Sequence, residues 1–437
     1  MIITSEFVNW FRASSPYIHA HRHRTFVIFF SGAAVSDVHF DKLIQDFALL
    51  RGLGVRLVLV HGIRNQIDER LREQGHSAQF HHHLRITDST TLQYVKQAAG
   101  LVRVEIEARL SMGVSGSPMA GARIRVASGN FVTARPLGVL DGIDYCFTGK
   151  VRRIDSQGIH QQLDQHNVVL ISPVGYSPSG EVFNLSAEEV ATEVAIALQA
   201  EKLILLTEDN CLSAQGEPIQ QLTTEQTANV LQNANHLPES LKRSLRAAME
   251  SCQQGVQRAH LINRQVDGGL MLELFSRDGI GTLISRDAFE SIRTATLEDI
   301  GGIMELIKPL ESQGILVTRS REKLEMAIGD YIVIERDGLI IGCTALHQIP
   351  ESQAGEIACL AVHADYRGAA RGDSLLGYLL TQASQLGLQR LYVRSTQTMH
   401  WFMERGFNPC TVSDLPPALQ QAYNHQRNSK VLCKTMD

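Results

Sequence analysis

The sequence contains no run of apolar residues long enough to span a lipid bilayer, so membrane insertion is not expected. Its N-terminus also lacks the charged, apolar and small-residue order of a secretory signal, which indicates a cytoplasmic protein. The seven cysteines are odd in number, scattered and without a Cys-x-x-Cys pair, a pattern that argues against a disulfide framework or a zinc site. A basic excess is missing too, since 41 Lys and Arg accompany 46 Asp and Glu, and nucleic-acid binding is therefore not expected.

The first two thirds of the 437 residues alternate strand and helix patterns. Amphipathic stretches, among them 40–50 and 187–199, separate the apolar runs, and Ser186 with Glu189 predicts a capping box before the second of them. Fully apolar strands separated by helices indicate a parallel sheet covered on both faces, and therefore a three-layer α/β domain. The predicted strands are 25–30, 55–60, 168–173, 202–207 and 259–262.

The pattern changes near residues 285–291, where a second domain begins. A short strand at 292–296, a helix at 297–308, a hairpin, a strand, a helix and a strand at 390–394 follow within about 146 residues. This order predicts a compact α+β domain.

The most informative segment of that second domain runs from an apolar strand, 356–362, through a loop of small residues and arginine into a helix. Such a loop lets backbone amides approach a ligand, and the helix N-terminus favours an anion such as pyrophosphate. The order resembles the acyl-CoA-binding segment of the GCN5-related N-acetyltransferase (GNAT) family, and the segment Trp-Phe-Met-Glu-Arg-Gly-Phe at 401–407 resembles the end motif of that family. A strand–helix turn that merely needs glycine is the alternative. The family pattern falls on Arg367, Gly368, Ala369, Ala370, Arg371 and Gly372, with Ala370 in place of the middle glycine.

Acetylation of an amine requires a base for the ammonium proton and a donor for the leaving thiolate. Glu356 opens the strand before the loop, and period-two alternation would put Glu356, Ala358, Leu360 and Val362 on one face. We therefore expect Glu356 to be the base, although a solvated strand-end carboxylate is the plainer interpretation. Ser395 is the expected acid, with Tyr392 as a competitor, and backbone amides near Leu360 could polarise the thioester carbonyl.

The first domain resembles the amino-acid kinase family, in particular N-acetylglutamate kinase, over roughly residues 25–285. The matching segments are 57–62 (Leu-Val-Leu-Val-His-Gly), 184–198, 200–207 and 273–282. Active kinases of that family have a lysine in the first strand and a glycine-rich loop after His-Gly, but this chain has Phe29, Phe30 and the segment Ile-Arg-Asn-Gln at 63–66. Because phosphoryl transfer depends on such cations and amides, we expect a kinase fold without kinase activity.

A kinase-like domain joined to an acetyltransferase resembles the bacterial N-acetylglutamate synthases, over essentially the whole chain. The resemblance implies acetyl transfer from acetyl-CoA to the α-amine of L-glutamate, the first step of arginine biosynthesis, with Glu356 as base and Ser395 as acid. It places glutamate on Arg319, Arg427 and Ser429, and arginine is the residue suited to bidentate carboxylate recognition. It places acetyl-CoA on Cys359, Leu360, Ala361, Val362, Arg367, Gly368, Ala369, Ala370, Arg371, Gly372, Asp373 and Ser374.

The same resemblance implies feedback inhibition by L-arginine at the kinase-like domain. The matching positions are Tyr17, His260, Glu273, Gly279 and Gly281, and a carboxylate such as Glu273 can pair with a guanidinium. An N-terminal helix carries Phe7, Trp10 and Phe11 as an apolar stripe, which indicates a contact between subunits, and the family assembles as hexamers.

These observations predict four segments: an N-terminal helix for oligomerisation (1–24), a kinase-like regulatory domain (25–285), a linker (286–291) and a GNAT domain (292–437). A non-catalytic arginine sensor, an N-acetylglutamate kinase and an acetyltransferase for another amine are the alternative functions. The run His81-His82-His83 lacks a spaced partner and is interpreted as a solvated loop, so no metal is expected. Cys359 is interpreted as a small buried residue and not as a nucleophile.

Overall fold

The computed structural model describes residues 4–113, 115–213, 215–233, 236–276, 278–287, 290–336, 338–349, 352–367 and 370–436. The chain divides into two compact units, Met1–Ala288 and Phe289–Asp437. Part of the predicted linker 286–291 lies outside the described residues, so the four segment boundaries stay predictions. Every helix in the described ranges falls short of the length and hydrophobicity that crossing a membrane requires.

Helices and strands alternate through most of the first unit. The helices are α1 Thr4–His21, α2 Gly32–Val35, α3 Phe40–Gly52, α4 Arg64–Glu73, α5 Ser89–Leu110, α6 Ser156–Asp164, α7 Ala187–Ala197, α8 Thr224–Asn233, α9 Glu239–Gln253 and α10 Gly269–Phe275. The strands are β1 Thr25–Phe30, β2 Arg56–His61, β3 Phe80–His81, β4 Leu84–Arg85, β5 Val126–Ala127, β6 Val132–Pro136, β7 Val139–Leu140, β8 Ile143–Asp144, β9 Gly149–Ile154, β10 Val168–Ile171, β11 Val174–Tyr176, β12 Val182–Asn184, β13 Lys202–Thr207, β14 Gln221–Thr223, β15 Arg258–Asn263 and β16 Thr282–Ser285.

The main sheet of this unit has the strand order β14-β16-β15-β13-β1-β2-β10-β5, and its strands are parallel except where β16 runs against β15. Alternate residues of β1 enter two different cores: Val27 packs with α6, α7 and α9, while Ile28 packs with α3, α4, α5 and α10. Helices therefore cover both faces of the sheet, which confirms the predicted three-layer α/β class.

A second sheet, in the order β12-β11-β6-β9, and two small hairpins, β3–β4 and β7–β8, were not predicted from the sequence. The capping box before α7 is only half formed. Ser186 accepts a hydrogen bond from the Glu189 amide at 3.4 Å, but the Glu189 carboxylate accepts from the Val151 amide of β9 at 3.0 Å and does not return to Ser186. Glu189 thus joins the helix to the second sheet.

The second unit is one sheet with helices on both faces. Its strands are β17 Glu290–Thr294, β18 Tyr331–Arg336, β19 Leu339–Gln348, β20 Ala354–Val362, β21 Arg390–Ser395, β22 Asn408–Cys410 and β23 Lys430–Thr435. Its helices are α11 Ile300–Ser312, α12 Arg321–Met326, α13 Arg371–Gln385, α14 Met399–Met403 and α15 Pro417–Gln421, with 3₁₀ turns at Leu297–Asp299, Ile328–Asp330, Ala364–Tyr366 and Val412–Asp414.

The strand order β17-β18-β19-β20-β21-β23-β22 is antiparallel except between β20 and β21. α13 packs on one face of the sheet, and α11 and α12 pack on the other. The predicted α+β class is confirmed. The segment 401–407, which resembles the end motif of the family, predicts a final strand after Gly406, but β23 follows that strand in the chain and lies between β22 and β21 in the sheet.

Candidate functional site

The two parallel strands at the centre of the second unit separate at one end. β20 and β21 pair only along Ala354–Ile357 and Arg390–Val393, although both strands continue, to Val362 and Ser395. In this fully described stretch no further pairs join them. Backbone groups of residues 358–362 that face the gap are therefore left for a ligand, since buried amides and carbonyls need partners.

A bulge in β20 changes which side chains share a face. Four residues of β20, from Ala358 to Ala361, are opposite three of β19, from Cys343 to Ala345, and Cys359 has a φ of 55°. Leu360 and Val362 consequently pack in the core with α13, whereas Cys359 and Ala361 pack in the opposite core. The expectation that Glu356 shares a face with Leu360 and Val362 is wrong, because the extra residue reverses the alternation beyond Ala358.

Glu356 is buried, with 8% of its surface exposed, and it is not a solvated strand-end carboxylate. Arg394 donates to both of its oxygens, from Nε at 2.6 Å and from Nη2 at 3.0 Å. Sequence reasoning missed this partner. Glu356 is opposite Tyr392 in the ladder, so Arg394, two residues further along β21, is its diagonal neighbour on the same face.

The two candidate acids are in different surroundings. The Ser395 hydroxyl is half-buried at the end of β21, 2.8 Å from the Thr398 hydroxyl, and it accepts from the Thr398 amide at 2.9 Å. The Tyr392 hydroxyl is buried and donates to the carbonyl of Asp414 at 3.2 Å. Ser395 can exchange partners near the strand end, whereas Tyr392 holds a backbone carbonyl.

Three arginines converge near Glu356. The pKa of Arg427 is lowered by burial and then by the positive charges of Arg319 and Arg394. Arg427 donates to the carbonyl of Ile315, and its buried Nε has no hydrogen-bond partner among the described residues. A cluster of cations that repel each other, with one nitrogen unpaired, is suited to bind a small anion.

Ser429 lies beside this cluster. Lys430, the next residue, is opposite Ser395 in the β21–β23 ladder, so the chain brings Ser395 and Ser429 together. Arg319 donates to the carbonyl of Val317 at 2.8 Å, and its charge lies close to Cys359 and Tyr331. The structure thus collects Glu356, Ser395, Arg319, Arg427 and Ser429, which the sequence places up to 110 residues apart.

The loop before α13 leads into a helix N-terminus without a side-chain cap. Ala370, the N-cap residue, has a φ of 53°, and its methyl side chain cannot accept a capping hydrogen bond. Arg367, three residues earlier, is exposed. The first amides of this 15-residue helix can therefore bind a phosphate group, which fits the pyrophosphate of a CoA thioester. Gly368 and Ala369 lie outside the described residues.

The next four predicted CoA-binding residues are Arg371, Gly372, Asp373 and Ser374, and the three that have side chains use them for internal contacts. Arg371 pairs with Glu290 at 2.6 Å, and a Cβ added to Gly372 would lie 3.1 Å from the Trp401 ring. These side chains therefore shape the helix start, and only their backbone groups remain for a phosphate. The other two contacts are those of Asp373 with Arg405 and of Ser374 with the carbonyl of Ala370.

In the first unit, Glu273 is the centre of a buried polar cluster. His260 donates from Nδ1 to Oε1 at 2.7 Å, and the amides of Ile280 and Gly281 donate to Oε2 at 2.7 Å each. Burial alone would raise the pKa of Glu273, but these donors outweigh it and hold the pKa at about 2. A Cβ on Gly279 would lie 2.3 Å from Glu273 Oε2, and a Cβ on Gly281 would lie 2.3 Å from the carbonyl oxygen of Leu261, so both positions require glycine.

Two members of this cluster were missed by sequence reasoning. The Lys202 ammonium lies 3.4 Å from Nε2 of His260. His21 of α1 lies close to both residues, and its pKa is lowered to about 4, mainly by burial and further by the charges of Lys202 and His260. Tyr17 reaches the cluster through His21, with ring centroids 6.4 Å apart. Lys202 lies in β13 and His260 in β15, which are parallel neighbours in the sheet. The two residues could therefore be brought together only once the strand order was known.

Helix α1 exposes an apolar stripe. Phe7, Trp10 and Phe11 are 66%, 45% and 54% exposed, although the Phe7 ring stacks on that of Phe11 and lies tilted against that of Trp10. The other end of the helix is fixed, since Ser14 and His21 bond to the carbonyls of Phe275 and Leu274. The stripe is therefore held in a defined position.

A cavity of about 320 Å³ lies at the carboxyl ends of β1 and β2. Among the described residues, its lining includes Phe29, Arg64, Asn184 and Arg243, and it contains no lysine. The absence of kinase activity stays a prediction.

Comparisons with known proteins agree with this architecture. Residues 24–263 match the amino acid kinase family, and residues 302–407 match the acetyltransferase (GNAT) family. An amino-acid acetyltransferase of Azotobacter vinelandii is 53% identical over 99% of this chain and all of its own length, and one of Ectopseudomonas mendocina is 51% identical over the same shares.

A solved structure has the same fold over nearly the whole chain. It is N-acetylglutamate synthase from Neisseria gonorrhoeae complexed with coenzyme A and L-arginine, which is 38% identical and has a TM-score of 0.90 over 98% of this chain and 99% of that one. The same enzyme complexed with coenzyme A and N-acetyl-glutamate matches over 99% of each chain with a TM-score of 0.64. Both predicted family resemblances are confirmed. The chain belongs to the amino-acid acetyltransferases, and it joins a domain of the amino acid kinase family to a GNAT acetyltransferase domain.

Proposed function

We propose that the protein is an N-acetylglutamate synthase, which transfers the acetyl group of acetyl-CoA to the α-amine of L-glutamate and is inhibited by L-arginine. One observation carries the proposal: Arg319 and Arg394 lie close enough to Arg427 for their charges to lower its pKa, and Arg394 binds Glu356 beside the gap between β20 and β21. A substrate with two carboxylates matches that excess of positive charge. The neighbouring helix start fits the CoA pyrophosphate.

The residues have separate roles in this proposal. Acetyl-CoA supplies the reactive thioester, held by Arg367, the start of α13 and the backbone of 359–362. Glu356 removes the proton from the α-ammonium, a step that helps by about 10²–10⁴-fold. Ser395 donates a proton to the departing thiolate; Tyr392, its competitor, would first have to release Asp414. Arg319, Arg427 and Ser429 hold the glutamate carboxylates.

The comparisons support this reading at the level of the whole chain. Full-length relatives are named amino-acid acetyltransferases, and the Neisseria enzyme of the same fold is a synthase complexed with coenzyme A and either L-arginine or N-acetyl-glutamate. In this chain, the buried cluster around Glu273 and His260 is the candidate arginine site. The low pKa of Glu273 keeps its carboxylate ionised near neutral pH. An ionised carboxylate can form a charge-assisted hydrogen bond with the guanidinium of arginine.

An assay of CoA release tests the main proposal. The protein should release CoA from acetyl-CoA only when L-glutamate is added, and L-arginine should slow the release. Release with another amino acid and not with glutamate would contradict the substrate assignment. Acetyl-CoA binding without turnover would favour the arginine-sensor alternative, and phosphorylation of N-acetylglutamate by ATP would favour the kinase.

The exposed stripe on α1 supports an oligomer, which we propose to be a cytoplasmic hexamer. Three aromatic side chains held in position outside the domain core are suited to contact another copy of the chain. Light scattering of the wild type should give six times the chain mass of 48.4 kDa. Replacing Trp10 and Phe11 by serine should reduce that mass, and an unchanged mass would place the subunit contact elsewhere.

A further inference from the structure

Two hairpin tips meet in the first unit. The turn between β3 and β4 carries His82, and the turn between β7 and β8 carries Asp141. His82 Nε2 lies 3.1 Å from the Asp141 carboxylate, and the rings of His81 and His82 are 4.0 Å apart. One possible ligand atom from each of these three residues lies within 4.8 Å of the others.

Tyr145 fixes the protonation of His81. Its buried hydroxyl lies 2.8 Å from His81 Nδ1 and 3.2 Å from the His81 carbonyl. A hydroxyl has one proton and a carbonyl can only accept, so both contacts are hydrogen bonds only if Nδ1–H is the donor to Tyr145. In the neutral ring, Nε2 is then the nitrogen with the lone pair, and this lone pair can bind a cation. A metal-bound histidine typically has its other nitrogen oriented by such a partner.

The stems of the two hairpins are already joined. The Phe147 amide donates to the Thr87 carbonyl at 2.8 Å, and Thr148 bonds to Thr87 through their hydroxyls at 2.9 Å. The two tips therefore need little ordering before they bind a cation, and this lowers the cost of binding.

We propose that His81, His82 and Asp141 bind a divalent transition-metal cation, Zn²⁺, with water completing its coordination. Two imidazoles and one carboxylate are a donor set that suits zinc, whereas magnesium and calcium prefer oxygen ligands throughout. This site could not be predicted from the sequence, because Asp141 is 59 residues from His82.

The cation would link the β3–β4 turn to the β7–β8 turn. The β3–β4 hairpin also contributes His83, Leu84 and Arg85 to the lining of the 320 Å³ cavity. A metal that ties this hairpin to the β7–β8 turn would hold that wall of the cavity in place. Its role would be structural and separate from acetyl transfer in the second unit.

Calorimetric titration of the chelator-treated full chain with ZnCl₂ tests the proposal. The wild type should bind one Zn²⁺ at a site that D141N and H82A weaken by at least about tenfold. Exposed His83 in the same turn is the matched control, and H83A should bind as the wild type does. Y145F should weaken binding while circular dichroism stays unchanged, since it frees the His81 ring without removing a ligand.

Cobalt provides a second measurement. Co²⁺ bound to two imidazoles and a carboxylate should give visible absorption bands in the wild type and in H83A, and these bands should be lost in D141N and H82A. Equal zinc binding by the wild type, H82A and D141N would assign the metal to other histidines and overturn the proposal. Absence of binding by the folded wild type would overturn it as well.

Discussion

Arg394 holds the carboxylate of Glu356 by both oxygens, with Nε at 2.6 Å and Nη2 at 3.0 Å. Its third nitrogen, Nη1, donates to the carbonyl of Ala422 at 3.1 Å, so the guanidinium is itself fixed. A bidentate pair of this kind fixes the relative orientation of the two groups and also adds to the attraction between their charges. The carboxyl group of the candidate base is therefore oriented before any substrate arrives.

Replacing Glu356 by glutamine should remove the proton acceptor and keep the shape of the side chain. We expect the turnover number for CoA release to fall by about 10²–10⁴-fold, the usual contribution of a general base. The dissociation constant for acetyl-CoA, measured by calorimetry, should change little, because the proposed CoA contacts are Arg367, the start of α13 and the backbone of 359–362, and the substitution changes none of these groups. Unchanged turnover at saturating substrate would remove Glu356 from the role of base.

Replacing Arg394 by methionine should release Glu356 from its fixed orientation. Misplacing a catalytic group by about 1 Å can cost about a hundredfold in rate, so we expect turnover to fall between tenfold and a hundredfold. Arg394→Lys should restore part of the turnover, since it keeps the charge and loses the second hydrogen bond.

Arg390 on the same strand provides the matched control for this variant, because it is exposed. Arg390→Met should leave turnover unchanged. If Arg394→Met raised only the KM for glutamate and kept the turnover number, Arg394 would be a substrate ligand and not a positioning residue for Glu356.

Arg427 and Arg319 should determine the affinity for glutamate. A hydrogen bond to a charged group contributes about 1.5–3 kcal/mol, so either Arg→Met variant should raise the KM for glutamate by about 10–100-fold. The KM for acetyl-CoA should stay close to that of the wild type. Arg321, exposed and paired only with Glu325 in the described contacts, is the control. Equal KM values for all these proteins would exclude a carboxylate site here.

The sequence predicted the parts of the fold whose physical signal is local. Mainly apolar runs such as 25–30 and 202–207 are strands, and the loop after 356–362 does precede a helix. Strands that are short or carry charges, such as β9 with Lys150, Arg152 and Arg153, were missed because their side chains do not alternate clearly.

The candidate site depends on relationships that are not local. The bulge at Cys359 reverses the faces of the following residues, and nothing in the composition of β20 indicates a φ of 55° there. The pairing of Glu356 with Arg394 follows only once β20 and β21 are known to be parallel neighbours. The positions of Gly279, Gly281 and Glu273 were predicted by resemblance alone, and the structure supplies the reason that both glycines are needed.

Replacing Glu273 should relieve inhibition by arginine. Glu273→Gln keeps the shape and removes the charge, so we expect the arginine concentration for half inhibition to rise at least about tenfold, the loss of one charge-assisted contact. CoA release without arginine should persist, because Glu273 lies in the first unit and the candidate acetyl-transfer residues lie in the second. Glu250→Gln, at an exposed position of α9, is the control. An unaltered dose response would place the effector site elsewhere.

His61 should make the first unit less stable in mild acid. It is fully buried at the end of β2, with a hydrogen bond to Ser172 at 2.8 Å. Burial lowers its pKa from 6.5 to about 4, against the effect of the Gly62 carbonyl. As the pH falls below 6.5, the unfolded chain takes up a proton at this residue and the folded chain does not. The free energy of unfolding therefore decreases between pH 6.5 and 4, by up to about 3 kcal/mol.

Urea unfolding of the full chain, followed by circular dichroism at pH 7.5 and pH 5, measures this decrease. His61→Gln cannot titrate and still offers a hydrogen bond to Ser172, so its loss of stability between the two pH values should be smaller than that of the wild type. Exposed His236 provides the control, and His236→Gln should lose as much as the wild type. His21, with a pKa of about 4 for the same main reason of burial, acts in the same direction, so His61→Gln should keep part of the dependence. Equal losses in His61→Gln and the wild type would show that His61 takes up its proton without unfolding.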